Sequence, residues 1–155
     1  DCANGSHCNS TICGQLALYV TMYSPLQMAA DFPEHYEQFA DAFQFIKDVA
    51  VDWQKSKYLL AEPGDYIVVA RKAKKSGQWF AGGVTDENSR TLDIPMNFLD
   101  PGKTYVAKIY ADAPDADYEK NPQAYVITEQ DVTSESVVPV FMARGGGFAI
   151  EFREK

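Results

Sequence analysis

The segment Asp112-Ala-Pro-Asp115-Ala-Asp117-Tyr-Glu119 sets four carboxylates within eight residues. Ca²⁺ is a hard cation that gathers oxygen ligands in flexible geometry, so Asp112, Asp115, Asp117 and Glu119 could supply part of a cation site. The glycine that lets an EF-hand loop turn sharply is missing, and the flanking sequence has strand character. A solvated acidic loop is therefore the simpler reading. A second chemistry is offered by Trp79, Trp53 and Tyr118, with Tyr58. Exposed aromatic faces stack on sugar rings, but aromatics in strands more often serve core or cross-strand packing. Because Trp79 precedes Phe80, the two rings must point to opposite faces of a strand. Cys2, Cys8 and Cys13 lie with His7 in the first thirteen residues. Their spacing matches no zinc pattern and their odd number leaves a thiol unpaired, so a tail is expected there rather than a metal site.

No catalytic constellation is legible. His7 lies in the tail and His35 at an expected helix start, so neither has an orienting partner in view. No serine stands in the strand–turn–helix setting of a nucleophile elbow. Gly145-Gly146-Gly147 precedes a strand and lacks the Lys-Ser/Thr of a phosphate loop, which makes it a turn or bulge. Glycosidic bond cleavage needs two carboxylates about 5–9.5 Å apart. Asp86 and Glu87 are sequence neighbours on an expected loop, where side chains diverge.

Stepping outward to the elements, apolar residues recur at helical spacing before Lys47. Ile12, Leu16, Tyr19, Val20 and Tyr23 form one stripe, ended by Pro25. A second helix is expected from Pro33 or Glu34 to Ile46, with Tyr36, Phe39, Ala40 and Phe43 inward. Ile12 to Ala30 carries no charge, yet Gln15, Thr21, Ser24, Pro25 and Gln27 interrupt it. It reads as a helix buried in protein rather than a membrane span. After Lys47 the period becomes two. Leu92, Ile94 and Met96 alternate with polar neighbours, and Tyr105, Ala107 and Ile109 likewise. Turn signals separate the runs, including Glu62-Pro63-Gly64-Asp65 and Asp100-Pro101-Gly102. About eight strands are expected, at 48–53, 65–73, 78–85, 90–96, 103–111, 123–129, 132–142 and 147–153. Short connections make the sheets antiparallel, and single-faced strands predict a mainly β, two-layer sandwich.

The chain thus divides into a tail over 1–10, a helical segment over 11–46 and a sandwich over 47–155. The helices cannot stay bare, because each large apolar side chain gains about 1.5–3 kcal/mol on burial. One small sandwich face could hardly cover both, which favours packing on a domain outside this chain, or on a second copy. A formal net charge of −8 argues against nucleic acid or an anionic membrane as partner.

The segments Leu16–Asp31, Phe43–Trp53, Glu62–Lys72, Gly82–Asn88, Phe98–Tyr105, Ile109–Asp117, Asn121–Tyr125 and Gly145–Ile150 resemble, in order, the end of glycoside hydrolase family 97. That resemblance implies that residues 11–46 match the end of a (β/α)₈ barrel and the rest a C-terminal β-sandwich. It implies a parent enzyme acting on α-glucosidic or α-galactosidic bonds in the periplasm or cell envelope of a bacterium. The parent's catalytic carboxylates and its Ca²⁺ site would lie before residue 1, so no catalytic or metal-ligating residue is assigned to this chain and no cofactor is expected in it. The leading expectation is an accessory sandwich that braces the catalytic barrel. A carbohydrate-binding module that takes an oligosaccharide on Trp79 or Trp53, or a small self-associating protein, are the alternatives.

Overall fold

Alternating apolar residues make strands because successive side chains of an extended chain point to opposite faces, so one face can be buried whole. The computed structural model describes residues 11–21, 40–41, 44–45, 53–62, 64–117, 120–121 and 124–155. A single helix of named extent, α1 (Ile12–Thr21), precedes eight strands among these residues. The strands are β1 (Trp53–Glu62), β2 (Tyr66–Ala73), β3 (Trp79–Thr85), β4 (Arg90–Pro95), β5 (Tyr105–Asp112), β6 (Tyr125–Val132), β7 (Val137–Met142) and β8 (Gly147–Glu154). Residues 40–41 and 44–45 are also helical.

Six strands form one sheet in the order β1-β2-β3-β8-β5-β6, and β4 pairs with β7 in a ribbon of two. Every pairing between named strands is antiparallel. The last strand of the chain, β8, enters the middle of the large sheet between β3 and β5. The sheet therefore closes only when its C-terminal end has been placed.

The ribbon and the large sheet share the main core. Val68, Ala70, Ala81, Tyr105, Ile109, Phe148, Ile150 and Phe152 come from the sheet; Ile94, Val138, Val140 and Met142 come from the ribbon. The opposite face of the sheet carries a second cluster, in which Phe80, Tyr110 and Ala149 meet Cys13, Leu16 and Val20 of α1. Phe45 joins them, with its ring 5.3 Å from Tyr110 and 6.1 Å from Phe80, edge on to both.

Several expectations change. α1 packs on the sandwich itself: Leu16 is 1 % exposed and Val20 fully covered within this chain. Ala40 is exposed, and Phe45 turns inward. Tyr36, Phe39 and Phe43 lie outside the described residues, as does most of the second expected helix. The first described strand runs over 53–62, beyond the expected 48–53, of which residues 48–52 lie outside the described residues. It is an edge strand with a mostly exposed outer surface and two register breaks, at Trp53/Lys55 and Tyr58/Leu60, so it lacks clean alternation. The expected strand 132–142 is divided, with Val132 closing β6 and a turn at Thr133–Ser136 before β7.

Candidate functional site

The described residues converge on the trough in which α1 lies. Thr11 begins it. Its side-chain oxygen accepts the Gly14 N–H at 3.0 Å, and its carbonyl accepts the Gln15 N–H at 3.0 Å, which is N-cap geometry. The Thr11 N–H in turn donates to the Gly145 carbonyl at 3.3 Å, stitching the start of the helix to the β7–β8 turn. The helix needs a shallow bed. A side chain at Gly82 would press on the Ala17 carbonyl and Val20, and one at Gly147 would overlap the Gly83 carbonyl and crowd Gly14. With Ala149 beside them, these small residues let helix and sheet backbones approach closely.

Beneath the N-terminus of α1 sits Asp112, the last residue of β5 and only 2 % exposed. Its Oδ2 accepts the N–H groups of Ala143 and Gly147, each at 2.9 Å, and its carboxylate also hydrogen-bonds the Thr11 side chain. The turn Gly145-Gly146-Gly147 is shaped around it. Gly145 adopts φ of 67°, and a Cβ at Gly146 would overlap the Asp112 carboxylate. Burial pushes the Asp112 carboxyl up to about 6, against the opposing pull of the Thr11, Ala143 and Gly147 hydrogen bonds. The buried Cys13 thiol is raised as well, first by burial and then by the Asp112 charge.

At the other end of the helix, Arg71 of β2 is 5 % exposed and donates from Nη2 to the Thr21 carbonyl at 3.2 Å. Its guanidinium also lies 5.9 Å from the centre of the Trp53 ring. The helix has no acidic residue in its first turn and no basic residue in its last. Its macrodipole is thus complemented by the sheet, with a carboxylate under the positive pole and a guanidinium at the negative one. This arrangement fixes position; it offers no reacting group to a substrate.

The residues singled out for other chemistry do not assemble. Trp79 is 3 % exposed and packs edge on to Phe98 in the main core, so its ring offers no platform for a sugar. Trp53 is half-buried against Phe80, with ring centres 5.7 Å apart. Tyr118 and Glu119 lie outside the described residues. The acidic segment diverges. Asp112 points under the helix, Asp115 Oδ2 accepts from Asn121, and Asp117 pairs with Arg144 at 3.2 Å. Among the described residues no group of three or more His, Cys, Asp or Glu side chains gathers as a metal site would require. Cys2, Cys8, His7 and His35 are likewise outside the described residues.

Comparisons with known proteins place this arrangement. The family model "Glycosyl-hydrolase 97 C-terminal, oligomerisation" matches residues 52–153. A retaining alpha-galactosidase of Bacteroides thetaiotaomicron is 33% identical over 143 residues, 92% of this chain and 21% of that protein. A probable retaining alpha-galactosidase of Streptomyces bingchenggensis is 31% identical over 88% of this chain and 20% of its own length. A glycoside hydrolase family 97 enzyme from Pseudoalteromonas sp. strain K8, solved in complex with acarbose, superposes with a TM-score of 0.91 at 45% identity, over 95% of this chain and 23% of that one. A beta-arabinopyranosidase shares the fold alone, at a TM-score of 0.60 and 18% identity. The chain spans about a fifth of the length of the relatives it matches. On the family model and these relatives together, it belongs to glycoside hydrolase family 97 and corresponds to the C-terminal domain of that family.

Proposed function

We propose that this domain is an accessory sandwich that braces the catalytic portion of a longer glycoside hydrolase, using α1 as the anchored link. The observation that carries the reading is the clamp on α1. The sheet holds both poles of the helix with buried charges, Asp112 and Arg71, and grips its middle through Gly82, Gly147 and Ala149. In the relatives, about four-fifths of the protein lies outside the part matched by this chain. A helix fixed this firmly gives the sandwich a rigid point of attachment at its start. The parent would act on α-galactosidic or α-glucosidic bonds, as the names of the relatives and the family resemblance suggest. Its placement in the periplasm or cell envelope rests on that resemblance alone; among the described residues no helix is long and apolar enough to cross a membrane. By the family resemblance, a Ca²⁺ requirement of the parent would be met by residues of its catalytic portion.

The test compares a full-length family 97 enzyme with a version ending just before the segment equivalent to β1. Bracing predicts a lower unfolding temperature for the catalytic portion and faster thermal inactivation, with the 155-residue chain alone releasing no sugar from aryl α-galactosides or α-glucosides. Unchanged inactivation kinetics after removal of the sandwich would refute the bracing role. The family description supports self-association as a second role. Light scattering across a concentration series would read it, and a monomer throughout would count against it.

A further inference from the structure

The apolar side of the helix-docking face does not end at α1. In antiparallel pairs, directly opposed residues share a face. The row Ala61–Ile67–Val84–Gly147 therefore runs from under the start of α1 outward to the edge strand. Tyr58 stands opposite Val69 on that same face, one row on. α1 packs mainly on β3 and β8 and leaves this flank open. There Tyr58, Ala61, Ile67, Val84 and their neighbours line a groove of about 560 Å³.

Tyr58 is the most exposed large hydrophobic side chain described, at 70%. Tyr66, Thr85 and Asp86 line one end of the groove. Arg90 lies 4.7 Å over the Tyr66 ring, held by Thr85 at 2.8 Å and Asp86 at 2.9 Å. Strand pairing by the outer edge of β1 is disfavoured by Lys55, Lys57 and the two register breaks, which are common devices against edge-to-edge addition. Any occupant must therefore arrive face on, through side chains.

We propose that the preceding catalytic portion of the parent enzyme inserts apolar side chains into this groove, with Tyr58 as the aromatic anchor. Two observations select that occupant. The groove is continuous with the surface that holds α1, the segment leading toward the preceding portion. The relatives also carry about four-fifths of their length outside this domain, enough to supply a covering surface. The inference rests on the bracing reading and adds the surface through which bracing acts.

Nitration of tyrosines, read by peptide mapping, tests it. Tyr58 is measured in the 155-residue chain and in a full-length family 97 enzyme carrying residues 11–155 in place of its own matched segment. N-acetyltyrosinamide added to both samples serves as the internal reference. We expect Tyr58 to react readily in the isolated chain and at least about tenfold more slowly in the full-length enzyme. Tyr58→Lys should leave the melting temperature of the isolated chain within about 1 °C and speed proteolytic release of the domain from the full-length enzyme about tenfold, as for loss of an aromatic hot spot. Equal nitration in both proteins overturns the inference. It is overturned equally if Tyr58 becomes protected in the isolated chain as concentration rises, since a second copy then fills the groove, or by added malto- or galacto-oligosaccharide. If Tyr58 is protected but removing the sandwich leaves thermal inactivation unchanged, the docking surface stands and the bracing reading falls. If removal hastens inactivation while Tyr58 stays reactive, the reverse holds.

Discussion

Asp112 is held by opposing forces, of which burial is the largest. Two backbone N–H donors, the Thr11 side chain and the positive pole of α1 favour the carboxylate, while removal from water opposes it. The carboxyl sits at about 6, against an ordinary value of 3.8. Because the folded value is the raised one, its contribution to stability is complete below pH 4 and is lost as pH rises through 6. The difference corresponds to about 3 kcal/mol between those limits. Asp112→Asn keeps an acceptor for the two amides and removes the ionisation. Thermal unfolding from pH 4 to pH 8 should therefore show a wild-type-minus-variant difference that turns against the wild type across pH 4–6.5; a constant difference would contradict this. Gly146→Ala drives a methyl group into the same carboxylate and should cost about 3 kcal/mol at any pH, read as a lower midpoint in urea. The sequence showed Asp112 as one of four clustered acids, but not its direction. Asp112 closes a strand on the helix face, whereas Asp115 and Asp117 lie beyond it. Proximity in sequence was legible, and divergence in space was not.

At the scale of elements, α1 is short, and a ten-residue helix is marginal in water without packing. Its ends lie about 15 Å apart, too far for Asp112 and Arg71 to interact directly to any large extent. If the helix docks as one body, the two charges are coupled through it. Arg71→Met should then cost about 1–2 kcal/mol. Combined with Asp112→Asn at pH 5, it should depart from additivity by about 0.5 kcal/mol or more. Strict additivity, with separate fraying of the two ends in amide exchange, would show that each charge serves its own terminus only. The strands with a buried face were legible because burial enforces the period of two, and Tyr105, Ala107 and Ile109 of β5 carry it openly. The run of β1 beyond Trp53 was not legible because an edge strand buries little and two register breaks interrupt its alternation. The destination of α1 was missed for a different reason. The trough is made by Gly82, Gly147 and Ala149, and side chains that create space leave no hydrophobic signal.

For the whole molecule, the family boundary and the physical boundary disagree. The family model begins at residue 52, but the second hydrophobic cluster needs Cys13, Leu16, Val20 and Phe45 from before it. Those four side chains cover Phe80, Tyr110, Ala73 and Ala149 on the helix face of the sheet. Stripping them away forfeits on the order of 5–10 kcal/mol of apolar burial, comparable with the entire stability of an ordinary domain. It also leaves Asp112 and Arg71 without the helix that partners them. A chain of residues 52–155 should therefore be either largely unfolded or self-associated through the bared face, while residues 11–155 fold cooperatively. Paired urea titrations and light scattering distinguish these outcomes. If 52–155 proved monomeric with the same midpoint, α1 would be a passenger on a finished sandwich. The trough would then have to be stable while open to water, which its rings do not favour.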